Sequence, residues 1–223
     1  MESVPPVEGT GIARNDEQQE RRKLIRTAII IGALLLIFTA GPGLAMVLAP
    51  HPHGTLYENP QPAPAFELPR SDGGTLRLSD LQGDVVVLYF GYTSCPDVCP
   101  TALLDLSRTM DALGEDAEDV KVVFITIDPE VDTPEQIEPY LDYFDERFIG
   151  LYGTEEQLQT VQDAYNVKVL RSDRGETIPG YGITHTTSMF VINREGILKL
   201  RMLHETDVEF LVKDLRYFIR GKL

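Results

Sequence analysis

The stretch VVVLYFGYTSCPDVCPTALLDLSRTMDAL, residues 85–113, decides the fold. Its opening, 85–92, is a near-continuous apolar run, the pattern of a strand buried on both faces. Its close sets Leu103, Leu106, Met110 and Leu113 at helical spacing and stops at Gly114. Between strand and helix lie the only two cysteines in the chain, Cys95 and Cys99, each followed by proline.

The prolines constrain the turn. A proline disfavours the α region for the residue before it, so both cysteines are expected in extended geometry and Cys95–Cys99 as a loop. Proline favours the first helical position, which predicts Pro100 at that position and Cys99 at the cap. The loop then leaves the carboxyl end of a buried strand and feeds a helix N-terminus. Open α/β sheets place their sites there, and the helix terminus favours thiolate over thiol.

Outward from this unit the elements alternate. VKVVFITID (120–128) reads as a second buried strand. TPEQIEPYLDYF reads as a helix capped by Thr133 with Pro134 in its first turn. FIGLYG is a short strand. TEEQLQTVQDAY opens with a Thr-x-x-Gln capping box at Thr154. MFVINREGILKLRM reads as two strands joined by a tight turn. The last helix, TDVEFLVKDLRYFIR, carries a capping box from Thr206 to Glu209. Alternation followed by a hairpin and a helix predicts an α/β fold, thioredoxin-like, with a mixed sheet flanked by helices.

The N-terminal part has a different composition. Residues 27–49 carry no charge and are long enough to cross a hydrocarbon core of roughly 30 Å. Arg21, Arg22, Lys23 and Arg26 precede this run, and Glu58 is the next charged residue. Basic flanks stay on the cytoplasmic side, so everything beyond residue 50 is expected outside the membrane. A cleaved signal peptide ending near LAMVLA is the rival reading, and both export the domain. The expected organisation is a polar cytoplasmic tail (1–23), a single-pass anchor (24–49), a proline-rich spacer (50–65) and a globular domain (66–223). Net charge is −15, with 15 Lys and Arg against 30 Asp and Glu in residues 51–223. That surplus argues against nucleic acid as a partner.

Export bears on the thiols, because exposed dithiols outside the cytoplasm oxidise unless a metal or a reductant holds them. Three readings compete for Cys95 and Cys99. They can be small buried hydrophobes, a redox dithiol forming one disulfide, or two ligands of a soft metal such as Cu(I) or Zn(II). A metal needs a third donor. Of the four histidines, His51 and His53 fall in the spacer and His204 follows the last strand, where a surface role is the simpler reading. His185, in YGITHTTSMFVIN, precedes a buried strand whose leading loop packs beside the cysteine turn in a thioredoxin-like sheet. An imidazole there completes a Cys2His set.

The motifs FGYTSCPDVCPTAL (90–103), FITIDPEVDTPE (124–135) and GITHTTSMFVINREG (182–196) resemble the Sco/SenC/PrrC family over residues 60–223. The resemblance implies a membrane-tethered thioredoxin-fold copper chaperone rather than an enzyme. It implies one copper ion, Cu(I) or Cu(II), held by two cysteines and a histidine, which here are Cys95, Cys99 and His185. It also implies a role in assembling the dinuclear copper centre of cytochrome c oxidase. The partners would be the oxidase's copper-accepting subunit, other copper chaperones and thiol reductants. Many members carry a histidine before the first cysteine, where this chain has Ser94. Asp128, at the end of the neighbouring strand, is a candidate to tune the site or to serve the turn.

Two other activities fit the same residues. A thiol–disulfide oxidoreductase would use Cys95 and Cys99 to reduce cysteines of the oxidase copper site or of another exported protein. Its usual spacing is Cys-x2-Cys, whereas this chain has Cys-x3-Cys. A peroxiredoxin-type peroxidase would need more than the Thr93 that precedes Cys95.

Overall fold

The computed structural model describes residues 21–32, 52–171 and 183–221. The chain divides into two compact units, 1–51 and 52–223. In the first, residues 21–32 are helical. Among the described residues no helix is long and apolar enough to cross a membrane. Most of the expected anchor, from residue 33 to 49, lies outside the described residues, as does His51.

The second unit is built on a six-stranded sheet in the order β1-β10-β9-β4-β5-β6. The strands are β1 (Thr55–Pro62), β4 (Val85–Gly91), β5 (Val120–Thr126), β6 (Ile149–Leu151), β9 (Ser188–Ile192) and β10 (Ile197–Leu203). β4, β5 and β6 run parallel, while β9 lies antiparallel to β4 and β10 antiparallel to β9. Two small ribbons pair β2 (Glu67–Pro69) with β3 (Thr75–Arg77) and β7 (Val169–Arg171) with β8 (Ile183–His185). The helices are α1 (Val98–Leu113), α2 (Pro134–Asp142), α3 (Glu155–Ala164) and α4 (Val208–Ile219). This is the mixed sheet flanked by helices that the alternation predicts.

β4 sits inside the sheet and every one of its residues is buried. That is why its sequence shows no polar alternation. α1 turns Leu103, Leu106, Met110 and Leu113 inward, and α4 packs against it through a face that includes Leu211, Leu215 and Phe218. Full burial of each such side chain contributes about 1.5–3 kcal/mol. Gly150 of β6 is fixed by crowding, since a Cβ there would lie 2.5 Å from Ile137 Cγ2 of α2.

Three sequence expectations shift. The proline-rich segment expected as a spacer contains β1, and the folded unit starts at Pro52 instead of Phe66. Pro60 and Pro62 are compatible with a strand because β1 is an edge, where a missing N–H leaves no ladder bond unmade on the open side. His53 is therefore not on a loose tether. Its backbone N–H and that of Gly54 donate to the buried Asp214 carboxylate at 2.9 and 3.1 Å, and its ring stacks on Phe210 at 4.0 Å. Finally, α4 is capped by Asp207 and not by Thr206. The Asp207 carbonyl accepts the first helical bonds, from Phe210 and Leu211.

The caps of α2 and α3 fall where the sequence puts them. Thr133 precedes Pro134, and Gln136 Oε1 accepts from Thr133 N. Thr154 and Gln157 close a reciprocal box at 3.3 and 2.9 Å.

Candidate metal and redox site

β4 ends at Gly91, and the chain turns through Tyr92, Thr93 and Ser94 to Cys95. Asp97 is the N-cap of α1, so the helix starts at Val98. Cys99 is thus the second residue of the helix rather than its cap. Pro100 at the third position is tolerated because N–H groups of the first turn have no helical acceptor to lose. One of those N–H groups finds a partner in the other cysteine, as Cys99 N donates to Cys95 Sγ at 3.4 Å.

The two thiols differ in environment. Cys99 is wholly buried, and Cys95 is partly exposed. Both are free thiols. A thiolate on Cys95 is favoured by the neighbouring Cys99 thiol, by the backbone N–H groups of Asp97 and Cys99, the latter at 3.4 Å, and by the nearby Tyr92 hydroxyl. Together they overcome its partial burial and push its pKa down to about 5. Cys99 moves the other way, because its proton serves Cys95 and because burial penalises a charge on it. The pair therefore carries one ready thiolate on the open side and one protonated thiol inside.

His185 closes the third side. It ends β8, whose pairing with β7 sets Val169 opposite it. Its Nδ1 lies 2.9 Å from the Thr186 carbonyl, so Nδ1 carries the proton and donates. Nε2 is left with its lone pair and stands 3.9 Å from Cys99 Sγ. Burial lowers the His185 pKa and keeps the ring neutral. Tyr92 ties this loop to the cysteine loop: its ring meets that of His185 edge to face at 6.0 Å, and its hydroxyl reaches the Ile183 carbonyl at 3.4 Å.

The spacing fits a single soft ion. Metal bonds of about 2.3 Å to sulfur and 2.0–2.1 Å to nitrogen, spread by tetrahedral to trigonal angles, put the donors about 3.6–3.8 Å apart. Cys99 Sγ and His185 Nε2 stand close to that separation. No three His, Cys, Asp or Glu groups already converge at ligand spacing among the described residues. Taking an ion would require Cys95 to turn its sulfur from the helix N-terminus toward the other two donors.

Asp128 and Asp132 are both buried. The backbone of Asp128 builds the turn after β5: its N–H donates to Thr126 Oγ1 at 3.0 Å, and its carbonyl accepts from Asp132 N at 2.9 Å. Its charge also reaches Tyr92. Asp132 escaped the sequence reading as a site residue. Its carboxylate accepts from Thr93 N at 3.1 Å, Thr93 Oγ1 at 2.5 Å and Thr126 Oγ1 at 2.6 Å, so it holds the cysteine loop to the end of β5. The available signal was the DPEVDTP run, in which a second acid follows the first by four residues.

The SCO1/SenC family model matches residues 55–220. A SCO2-like protein of Rickettsia felis is 34% identical over 156 residues, which cover 70% of this chain and 74% of the relative. The solved structure of Bradyrhizobium japonicum ScoI with copper bound is 31% identical with a TM-score of 0.64, over 71% of this chain and 99% of that one. Apo Sco1 from Thermus thermophilus is 35% identical with a TM-score of 0.67, over 76% and 98%.

Proposed function

The chain belongs to the SCO1/SenC family, and from that premise we propose that it carries copper for assembly of the dinuclear copper centre of cytochrome c oxidase. Cys95, Cys99 and His185 hold one ion as cargo. The observation that carries this reading is the approach of His185 Nε2 to 3.9 Å from Cys99 Sγ, with its other nitrogen committed to the Thr186 carbonyl. A dithiol that served only disulfide exchange would not need an imidazole lone pair at that distance. The solved Bradyrhizobium relative, which has copper bound, supports the identity of the ion.

Two thiolates and a neutral imidazole suit Cu(I) in a trigonal arrangement and admit Cu(II) with a further donor. Three ligands leave one side open to the accepting protein, which suits a donor of metal better than a store. Residues 24–49 anchor the chain in the cell membrane, with the N-terminus cytoplasmic and the folded unit on the outer side, next to the oxidase subunit that takes the copper.

The inequality of the two thiols supports a second activity on the same residues. Cys95 thiolate attacks a target disulfide and forms a mixed disulfide, releasing one target thiolate. Cys99 then gives up its proton and displaces the second target sulfur. The target leaves as a dithiol and the pair becomes Cys95–Cys99 disulfide. A thiol reductant resets it.

Titration of the reduced, anaerobic protein with Cu(I) against a chelator of known affinity tests the copper reading. One tight equivalent is expected. His185→Ala should weaken it by orders of magnitude while both cysteines still react with a thiol reagent. Binding that is weak, or indifferent to His185→Ala, would falsify the three-ligand site.

A further inference from the structure

His185 stands on a part of the fold that the main sheet does not carry. β7 and β8 pair with each other as a two-stranded ribbon, separate from the six strands that include β4 and β5. Val169 lies opposite His185 in this ribbon, and Arg171 lies opposite Ile183. The Thr186 N–H extends the pairing by donating to the Lys168 carbonyl at 3.0 Å. His185 therefore goes where the ribbon goes. The approach of its Nε2 to 3.9 Å from Cys99 Sγ depends on what fastens the ribbon to the body of the domain.

Arg171 is such a fastener. Side chains alternate along a strand, so Val169 and Arg171 share a face of the ribbon with Ile183 and His185. Leu170 and Thr184, on the other face, are exposed, while Ile183 is buried. From the inward face the guanidinium reaches two acceptors. Its Nη2 donates to the Ile127 carbonyl at 2.7 Å, and its Nη1 donates to Glu155 Oε1 at 2.8 Å. The Glu155 pair is open to solvent, where an ion pair contributes little. Ile127 is wholly buried, and the bond to its carbonyl is charge-assisted and short. The Tyr92 hydroxyl also meets the ribbon, at the Ile183 carbonyl, by a longer and uncharged bond of 3.4 Å. Ile127 is a fixed point for the cysteines as well. Its own N–H donates to the Gly91 carbonyl at 2.9 Å, where β4 ends and the cysteine loop departs. Thr126, just before it, donates to the Asp132 carboxylate that holds Thr93.

We propose that Arg171 is a positioning residue for His185. Through the Ile127 carbonyl it fastens the histidine ribbon to the same two residues, Thr126 and Ile127, that locate the cysteine loop. The imidazole lone pair is thereby set at its distance from Cys99 before an ion arrives. The inference rests on the copper reading above. An ion that had to draw in a loose ribbon would lose binding free energy to ordering it. Arginine suits the task because its planar fork serves two acceptors at once through separate N–H groups. Two residues along a strand span about 7 Å. The bond made by Arg171 thus acts one side-chain repeat from Val169, the residue opposite His185.

The test compares Arg171→Leu with Arg216→Leu in the full-length protein. Arg216 makes the same two kinds of contact, with Asp116 Oδ2 at 3.1 Å and the Ala112 carbonyl at 3.0 Å, at the other end of α1 from Cys99. The first readout needs no metal. In reduced protein, the ring protons of His185 and Tyr92 should show nuclear Overhauser contacts, since the rings meet edge to face at 6.0 Å. Arg171→Leu should weaken these contacts several-fold, and Arg216→Leu should keep them. The second readout is Cu(I) affinity against a chelator, which Arg171→Leu should lower on the order of tenfold and Arg216→Leu should leave in place. If Arg171→Leu keeps the ring contacts or the wild-type affinity, or if Arg216→Leu loses as much, the inference fails while the copper reading stands. If wild-type protein takes up no Cu(I), the copper reading itself fails and the inference falls with it.

Discussion

Asp132 grips Thr93 twice, at the backbone N–H (3.1 Å) and at the hydroxyl (2.5 Å), two residues before Cys95. With a third bond from Thr126 Oγ1, one carboxylate fixes where the cysteine loop starts relative to β5. The loop therefore does not rely on its own short length for its shape.

Replacing Asp132 should disturb the site without touching a thiol. Asp132→Ala leaves buried donors on Thr93 and Thr126 unpaired, at a cost of about 1–3 kcal/mol each. Unfolding in urea should show a lower midpoint with an unchanged slope. The pH dependence has a definite sign. Burial raises the Asp132 pKa above its ordinary 3.8, against the pull of the Thr126 and Thr93 bonds. The folded state then binds that proton more tightly than the unfolded state. The resulting stability is full below pH 3.8 and is lost as the pH rises through the folded value. Asp132→Asn abolishes this titration, so its deficit relative to wild type should be larger at pH 3.5 than at pH 7. Paired melts at the two pH values check this.

The thiols should separate cleanly under alkylation. In reduced, metal-free protein, Cys95 should react with iodoacetamide as a thiolate, its rate rising with a midpoint near pH 5 and then levelling. Cys99 should stay unmodified until the protein unfolds, because it is buried and protonated. Peptide mapping after a short pulse reads both sites. Equal labelling would show that the asymmetry is absent in solution.

Gly91→Ala should damage the site by crowding. The new Cβ would meet Phe124 Cε2 at 2.8 Å and Cys99 Sγ and Tyr89 Cε1 at 3.1 Å. Overpacking of this kind costs about 1–3 kcal/mol. The measurement is the denaturation midpoint together with copper stoichiometry, and both should fall.

The clasp at Asp214 should govern the start of the folded unit. Asp214→Ala frees the N–H groups of His53 and Gly54 and should cost about 1–3 kcal/mol. Amide exchange should speed up at residues 53–56 and stay slow in β4. Uniform loss of protection across the sheet would mean that the clasp supports the whole fold.

Much of this architecture was legible from residues 85–113. The unbroken apolar run at 85–92 reads as a strand covered on both faces, and β4 does lie inside the sheet. The loop at the carboxyl end of β4, Cys95, Cys99 and His185 followed from that placement and the element order. The helix start was misread because the local preference of the residue before a proline was given precedence. In the fold, Cys99 accepts helical geometry inside the first turn, where its N–H has Cys95 Sγ to bond. β1 was misread because prolines at 60 and 62 suggest a linker, and only the sheet order shows that they lie on an edge. The grip of Asp132 on Thr93 and Thr126 depends on three-dimensional neighbours that sequence spacing does not encode.

The chain enters its sheet at β1, and β10 and β9 separate that strand from β4. Tension applied to the residues before Pro52 would fall first on the His53 and Gly54 amides held by Asp214, and then on the outermost strand. The loop carrying Cys95 and Cys99 lies beyond two further strands. Strain that enters at Pro52 therefore meets the clasp and the edge strand before it reaches the thiols.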